Sequence, residues 1–447
     1  MPKEMTKLKP LQKIQLVIET DQCIACGACV AACPDSFTPA FNNYRGAHEV
    51  VITSSENCVG CDGMCAKICP SIEVDFIKSR RALGRPVPSG EPPLPDGWAA
   101  SVHLSWAPDH RDNQISSSGG VLRSIVAYYL SRKQPVVCLA MDPGENTYKA
   151  RLLDKIEDLE YLPGSIYHST SFNDAIELIR NSEEPVVLMA IPCQLAGIAQ
   201  YIAACEPELA EKIDLVCGII CGWMYSHHSL HSIATHKQIT EPIENAKYRG
   251  GDKIGNLRIL TETNEYSYKR ANFNKLSDMI DYRSSFSTDF NRLRCRLCED
   301  HTNMLADVVA GDAWLKTKKN EKISILISRT EQGETLLQTL SNEGLIHPEP
   351  ASFKDVIESQ SENFVYNNTA KIINRIMRDK GMQTPRFLYA NHFETTNVRT
   401  LDRLQFFIET FLRLIIRQKF YKLYRFIYVF RRPSTPLRFW LRKLIRG

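Results

Sequence analysis

The stretch Cys23-Ile24-Ala25-Cys26-Gly27-Ala28-Cys29-Val30-Ala31-Ala32-Cys33-Pro34 has the C-x2-C-x2-C-x3-C-P spacing with which a chain holds cubane iron–sulfur clusters. Three thiolates on one tight loop reach three irons of one cubane. The fourth, followed by a proline that ends the loop, points away to a second cubane. Residues Cys58-Val59-Gly60-Cys61-Asp62-Gly63-Met64-Cys65-Ala66-Lys67-Ile68-Cys69-Pro70 repeat the block with one extra residue between Cys61 and Cys65. The expected ligand sets are Cys23, Cys26, Cys29 and Cys69 on one cluster, and Cys58, Cys61, Cys65 and Cys33 on the other. Zinc is the alternative, since C-x2-C pairs also build zinc sites. Two tandem triads with a trailing Cys-Pro favour the cubanes and therefore electron transfer.

At 447 residues the chain has room for two or three domains and a sizeable core. Its 15 cysteines come without the apolar stretch of a signal peptide in residues 1–10, so thiols and clusters rather than disulfides are expected, in a cytoplasmic, reducing compartment. The net charge of +4 hides an asymmetry: residues 399–447 hold 13 Lys or Arg and two acids, which leaves the rest at −7. No run of 18 uncharged apolar residues occurs, so no transmembrane helix is expected.

Short strands are predicted at 14–20 and 72–78, flanking the cysteine blocks of a ferredoxin-like module over 14–80. The duplicated cysteine block is the internal repeat of the chain. Five prolines in 84–97 predict an extended linker. From 100 to 350 the pattern is mixed α/β. Apolar runs at 135–140 and 185–191 suit buried parallel strands, and helical patterns at 120–132, 172–181 and 194–204 lie beside them. Residues 256–270 alternate as a hairpin with Thr263-Asn264 at its turn, and 331–344 reads as an amphipathic helix.

Four further cysteines stand in suggestive places: Cys193 just after an apolar strand, Cys221 at the end of Leu215–Cys221, and the pair Cys295 and Cys298. Taken singly, Cys193 and Cys221 read as core residues, and a lone C-x2-C is weak. Parallel strands end on one sheet edge, however, where open α/β folds bind ligands, so the four can converge there.

Six motifs in order, Gln114-Ile115-Ser116-Ser117-Ser118-Gly119-Gly120, Pro163-Gly164-Ser165-Ile166-Tyr167, Ala190-Ile191-Pro192-Cys193-Gln194, Val216–Cys221, Cys295-Arg296-Leu297-Cys298 with Ala306-Asp307, and Ile327-Ser328-Arg329-Thr330, resemble the beta subunit of coenzyme F420-reducing hydrogenase. That family includes the beta subunits of coenzyme F420-dependent dehydrogenases and 7-hydroxymethyl chlorophyll a reductase, and the resemblance covers about residues 100–345. It implies an FAD and one adjacent 4Fe–4S cluster, with Cys193, Cys221, Cys295 and Cys298 as ligands and Cys217 as a competitor for Cys221. Cys138 and Cys205 match no ligand of the family and read as packing residues. The flavin would sit against Ser118-Gly119-Gly120 and Gly164-Ser165, where glycines let backbone N–H groups approach a pyrophosphate at a helix start near Val121. A basic residue follows the Gly-Ser of the second loop in many members; here it is Ile166, which weakens a coenzyme F420 contact. The expected fold class is thus α+β and α/β: a ferredoxin-like two-cluster module (14–80), a proline-rich linker (84–97), a mixed α/β flavin domain (100–350) and a C-terminal amphipathic helical tail (351–447).

A flavin beside cubanes converts two-electron into one-electron chemistry. The expected activity is an iron–sulfur flavoprotein oxidoreductase acting on an organic substrate. The alternatives are a coenzyme F420 reductase or dehydrogenase, and an electron-transfer subunit active only in a larger complex. Expected redox partners are ferredoxin or a reduced nicotinamide or deazaflavin donor. Candidate proton donors are His168, Tyr167 and Asp312, each with a plain structural reading, and Arg249 is a cation near the pocket or part of a turn. On a helical wheel over 403–430, Ile408, Leu412, Ile415, Ile416, Leu423, Phe426, Ile427 and Phe430 share one face, and Arg403, Arg413, Arg417, Lys422 and Arg425 the other; 437–445 repeats the mix. That pattern suits either a helix lying on an anionic membrane surface, peripheral on the inner face of the cell membrane, or a helix docked on protein. Nucleic-acid binding is not expected.

Overall fold

A computed structural model describes residues 8–58, 60–87, 97–108, 115–249, 254–318, 321–389 and 398–432. The strands among the described residues, in chain order, are β1 Phe37–Asn42, β2 Ala47–Ile52, β3 Glu73–Asp75, β4 Ser101–Trp106, β5 Val136–Asp142, β6 Thr147–Leu153, β7 Val186–Ala190, β8 Ile213–Ile219, β9 Asn245–Lys247, β10 Asn256–Leu260, β11 Glu265–Lys269, β12 Val308–Asp312, β13 Ser324–Ser328, β14 His347–Pro350 and β15 Arg386–Leu388.

The cysteine blocks do not lie between two strands as predicted. Residues 14–20 belong to helix Pro10–Glu19. Pro10 opens the first turn, where no N–H is needed, and the Gln12 side chain accepts from the Lys9 N–H at 2.9 Å. Ile14 and Val17, three residues apart, are the buried face, packed with Phe37, Val50, Cys23 and Cys65. The β-branched run imitates a strand, but its burial follows the helical period. At the far side only Glu73–Asp75 is extended, and helix Phe76–Ala82 follows, capped by the Asp75 carboxylate, which accepts from Lys78 N–H. The partner of β3 is β15, in parallel register. The chain therefore returns late to close the cysteine region.

The centre is an eight-stranded mixed sheet in the order β14-β4-β13-β12-β8-β7-β5-β6. The strands β5, β7, β8 and β12 run parallel, and β4, two steps away through antiparallel β13, points the same way. The C-terminal ends of β4, β7, β8 and β12 consequently share one edge. Buried on both faces, β7 and β13 are apolar throughout their middle, as interior strands must be. Helices Val121–Ser131, Ala175–Asn181, Pro192–Ala204 and Glu331–Asn342 cover the two faces. The hairpin β10–β11 turns at 261–264 and adds β9 to make a separate three-stranded sheet.

Of the predicted linker, 88–96 lies outside the described residues, but its start is anchored. Arg85 is buried and forms a forked pair with Asp307, its Nη2 2.9 Å from Oδ2. Asp307, fully buried, also accepts from Val216 N–H and from the Thr330 hydroxyl. The Ala306-Asp307 and Ser328-Arg329-Thr330 motifs are thereby joined structurally, by one carboxylate that ties β8, β12 and β13 to the end of the cysteine region.

The tail departs from the single wheel. Lys419 takes a left-handed conformation (φ 60°) and splits it into helices Thr400–Arg417 and Tyr421–Arg431. Leu412, Ile415, Ile416, Tyr421 and Tyr424 are buried against Tyr225 and Phe290, each aliphatic one contributing about 1.5–3 kcal/mol. Part of the expected lipid face therefore faces protein. The basic face is engaged as well: Arg417 meets Asp21, Arg425 meets Asp281, and Arg431 meets Asp289. A different stripe is exposed, Leu401, Leu404, Phe407, Phe411 and Leu414 on the first helix and Phe420, Leu423, Phe426 and Phe430 on the second. Residues 437–445 lie outside the described residues. No helix among the described residues is long and apolar enough to cross a membrane.

Candidate metal centres

Each cysteine block has two left-handed residues, Ala25 and Gly27 in the first and Gly60 and Gly63 in the second. Gly27 (φ +84°) precedes helix Ala28–Ala32, which carries Cys29, and Gly63 (φ +77°) precedes helix Met64–Lys67, which carries Cys65. Glycine adopts this conformation without the cost of a Cβ clash. Matching the two glycines makes Asp62 the extra residue of the second block. It is exposed, pairs with Lys67 at 2.8 Å, and leaves the Gly63 N–H donating to Cys61 Sγ at 3.2 Å. The insertion is absorbed at the surface without moving the thiols from their loop.

Cys23, Cys26, Cys29 and Cys69 gather around one cavity, lined also by Ile14 and Val17. Burial raises the Cys26 thiol to about 12 with Cys23 adding to it, and raises Cys29 well above its usual value with Cys23, Cys26 and Cys69 next. Cys69 is raised by burial and then by Cys26. The second gathering is Cys33, Cys58, Cys61 and Cys65: burial raises Cys33, helped by Cys61 and Cys58, and lifts Cys65 to about 12, helped by Cys33 and Cys61. Cys61 is exposed, so this set opens to the surface while the first lies inside.

The third gathering sits at the shared sheet edge. Cys193 opens helix Pro192–Ala204 directly after β7, and Cys221 follows β8. Cys295 lies in the short helix Leu293–Arg296, with Cys298 just beyond it. Burial pushes Cys221 well up, with Cys193, Cys295 and Cys298 adding to it; Cys193 is likewise pushed up, with Arg294 opposing. Cys298 rises to about 11. Met224 N–H donates to Cys295 Sγ at 3.3 Å. Cys217, the competitor, is fully buried on the other side of β8 with Cys138 and Leu215 and joins none of the three sets. Cys138 packs in that core too, and half-buried Cys205 lies near Cys33.

Among the described residues no three His, Cys, Asp or Glu side chains are drawn together as one metal ion would need. A tetrahedral zinc holds its sulfurs ~2.3 Å from a common centre; a cubane, with an iron at each of four corners, spaces them more widely. Uncompensated, four buried thiols resist ionisation, because burial and mutual repulsion both disfavour the thiolates; a bound metal would supply the positive charge that lets them ionise.

The first and third sets are close neighbours. A Cβ on Gly197, one turn beyond Cys193, would stand 2.7 Å from Cys26 Sγ, so only glycine lets this helix approach the first set so closely. At Gly27 an added Cβ would strike the Asn173 carbonyl, and Phe172 N–H donates to Ala25 O at 2.9 Å. The loop is thus clamped onto the α/β body. Two arginines between the sets were invisible to motif reading. Arg292 donates to Asp21 at 2.6 Å and to Cys23 O at 2.7 Å. Arg294 donates to Pro70 O at 3.0 Å.

The two glycine turns expected at the flavin, at 117–120 and 164–165, meet, since a Cβ on Gly164 would lie 2.9 Å from Ser117 Oγ, a buried hydroxyl without a partner. Gly120 (φ +83°) starts helix Val121–Ser131. Gly119 does not offer its N–H as expected: it donates to Ser324 Oγ at 3.0 Å, and Ser118 donates to Ile323 O at 2.9 Å. The lack of a side chain at Gly119 admits the backbone of β4 and β13. Gln114 and Gly250-Gly251 lie outside the described residues. Arg249 lies beside the first turn, donating to Ser117 O at 2.5 Å and pairing with Asp312 at 2.9 Å. Burial opposes its charge, but Asp312 and Tyr167 hold its pKa above the usual value. Tyr167 and Asp312 are therefore together around Arg249. His168 is apart from them, buried against Tyr248 OH at 2.8 Å and held well below its usual pKa by burial and by His227.

Residues 16–77 match a 4Fe–4S dicluster domain, and residues 184–354 match the family described as the C terminus of the coenzyme F420 hydrogenase/dehydrogenase beta subunit. The second range includes Cys193, Cys221, Cys295 and Cys298 but stops short of both glycine turns. The F subunit of the F420H2 dehydrogenase of Methanosarcina mazei is 25% identical over 345 residues, covering 76% of this chain and 88% of that one. A structure of the F420-reducing [NiFe] hydrogenase complex from Methanosarcina barkeri, derivatised with xenon, aligns with TM-score 0.48 at 15% identity, over 64% of this chain and 95% of that one. The chain thus matches the C-terminal domain of the coenzyme F420 hydrogenase/dehydrogenase beta-subunit family over 184–354, behind a stretch that matches a 4Fe–4S dicluster domain.

Proposed function

We propose that the chain is an electron-carrying iron–sulfur flavoprotein with three 4Fe–4S clusters, two on the dicluster domain and one at the sheet edge. The observation that carries this is the gathering of twelve cysteines into three sets of four, ordered from exposed Cys61, through the buried set with Cys26, to Cys193 beside it. Cubanes supply one-electron transfer, tuned by burial and hydrogen bonds to sulfur. The chain's own residues do the rest. Ile14 and Val17 keep water from the first set, Met224 N–H steadies Cys295, and Gly197 keeps the first and third sets near.

FAD would be held where the two glycine turns meet. Ser117 Oγ and the start of helix Val121–Ser131 suit a diphosphate, and Ser165 lies on the facing turn. Gly119 and Ser118 dock the first turn on β13 instead. When bound, a flavin couples two-electron to one-electron transfer. Arg249, fixed by Asp312, places a permanent cation there, and Tyr167 is the hydroxyl beside it. Anaerobic purification with cofactor extraction tests this part: one FAD per chain is expected, and protein with full iron and no flavin would leave an electron-transfer subunit without flavin.

We further propose that the tail rests on an anionic membrane surface, through the exposed stripe running from Leu401 to Phe430. Exposed Lys419, Lys422 and Arg432 border that stripe, and Arg438, Arg442, Lys443 and Arg446 follow with no acid among 433–447. Apolar area with adjoining positive charge is the combination that anionic bilayers bind. Full-length protein with Phe407→Ser and Phe426→Ser should lose co-sedimentation with vesicles containing phosphatidylserine; undiminished binding would contradict the proposal.

A further inference from the structure

We infer that Arg294 is a cation shared by two clusters, setting the reduction potentials of both the first and the third. This rests on the assignment of those two cysteine sets to 4Fe–4S clusters. Arg294 is 1% exposed, and its guanidinium lies where the two sets adjoin. Toward the first, Nη2 donates to the carbonyl of Pro70, the residue after Cys69, and the charge acts on both Cys26 and Cys69. Toward the third, its strongest electrostatic neighbours are Cys298 and Cys193, then Cys295. Its side chain also hydrogen-bonds to Cys298, and the Phe387 ring lies 5.2 Å from the guanidinium carbon.

Two of its donor groups are unspent. Nε and Nη1 are buried without an oxygen or nitrogen acceptor, an arrangement that ordinarily costs on the order of 1–3 kcal/mol or more for a charged group. The carboxylate of Glu299 also feels its charge, behind Lys371 and Arg378. Arg292, two residues earlier, shows the contrast. It too is buried, but Asp21 neutralises it at 2.6 Å, and its three nitrogens all donate to oxygen. The group that completes Arg294 must be anionic, must accept from a guanidinium, and must lie on the side of the thiols. Cluster sulfur with its thiolates meets all three conditions. A guanidinium stays protonated at every working pH, so its positive charge favours the reduced, more negative state of any cluster beside it.

The test uses full-length Arg294→Gln and Arg294→Lys, purified anaerobically beside the wild type, with iron content and potentiometric titration followed by electron paramagnetic resonance. In iron-replete Arg294→Gln two of the three midpoint potentials should fall, each by at least tenfold in the reduction equilibrium, or 59 mV for one electron. Cysteine-to-serine variants of each set identify which signals moved. The set of Cys33, Cys58, Cys61 and Cys65 should not move. Arg294→Lys, which keeps the charge and loses the fork, should show smaller falls at the same two centres. Unmoved potentials in iron-replete Arg294→Gln, or an equal fall at all three, would overturn the inference. If the Gln variant sheds iron, Arg294→Lys decides, and potentials identical to wild type in all three centres count against it. Wild-type protein with fewer than about twelve irons per chain would instead overturn the cluster assignment itself.

Discussion

Gly197 and Cys26 touch across the boundary between the dicluster domain and the α/β body: a Cβ added to Gly197 would lie 2.7 Å from Cys26 Sγ and 3.1 Å from its Cβ. Helix Pro192–Ala204 begins with Cys193 and passes the first thiol set within one turn. The neighbouring contact is Pro70, at 3.5 Å from the same point, so the helix is wedged between both ligand loops.

Gly197→Ala should therefore force the helix away from the Cys26 loop. Although alanine favours helix by roughly 0.8–1 kcal/mol, overpacking here should cost about 1–3 kcal/mol. The expected result is a lower thermal midpoint, with electron transfer between the first and third centres slowed in stopped-flow reduction. A variant that is more stable and equally fast would show that the contact is loose.

The tail should be part of the folded body. Glu409 and Arg296 form a buried pair at 2.8 Å, with side chains 8% and 5% exposed. Arg296 directly follows Cys295. Burial opposes the Glu409 charge, but Arg296 and Arg413 hold its carboxyl below the usual range. Removing one partner of a buried pair leaves a bare charge and costs about 3–5 kcal/mol. Glu409→Ala should lower stability in that range by denaturant titration and loosen the Cys295 loop, read as faster iron loss to a chelator. An effect under about 0.5 kcal/mol, typical of neutral surface changes, would contradict the docked tail.

Acid should weaken the packing around His227, which joins the β1–β2 hairpin to the segment at Ser169. His227 backbone N–H donates to Gly46 O at 2.6 Å, and its ring Nε2–H donates to Ser169 O at 2.9 Å. Burial lowers its pKa to about 4, and the nearby His48, His231 and His228 add to this. A histidine whose pKa is lower folded than unfolded stabilises the fold above the unfolded value, near 6.5, and loses that contribution as pH falls toward 4. The thermal midpoint should accordingly fall between pH 7 and 5 by more in wild type than in His227→Gln. Equal slopes would place the acid sensitivity elsewhere.

Legibility in the sequence followed the range of the interactions. The grouping of Cys33 with the second block and Cys69 with the first is a property of loop spacing, and the structure gathers the same residues. Strands β5 and β7 and the hairpin turn at 261–264 carry strong local signals. Residues 14–20 misled because Ile14, Val17 and Ile18 are β-branched, whereas Pro10 and the spacing of the two buried residues mark the helix. The tail misled for a different reason. A continuous wheel ignores the left-handed Lys419, and Arg417 and Arg425 are held by Asp21 and Asp281, carboxylates far away in the chain. The same distance hid Arg294, which only the fold brings between Pro70 and Cys193. Gly119 was placed at the correct turn, but its bareness serves the strands β4 and β13.

The third thiol set is the central claim, and iron quantitation of anaerobically purified protein tests it most directly, comparing wild type with Cys221→Ser and Cys217→Ser. Three four-iron clusters give about twelve irons per chain. Wild type and Cys217→Ser should both hold about twelve, while Cys221→Ser should fall toward eight. About eight irons in the wild type, or an equal loss in the two variants, would contradict a cluster at the sheet edge.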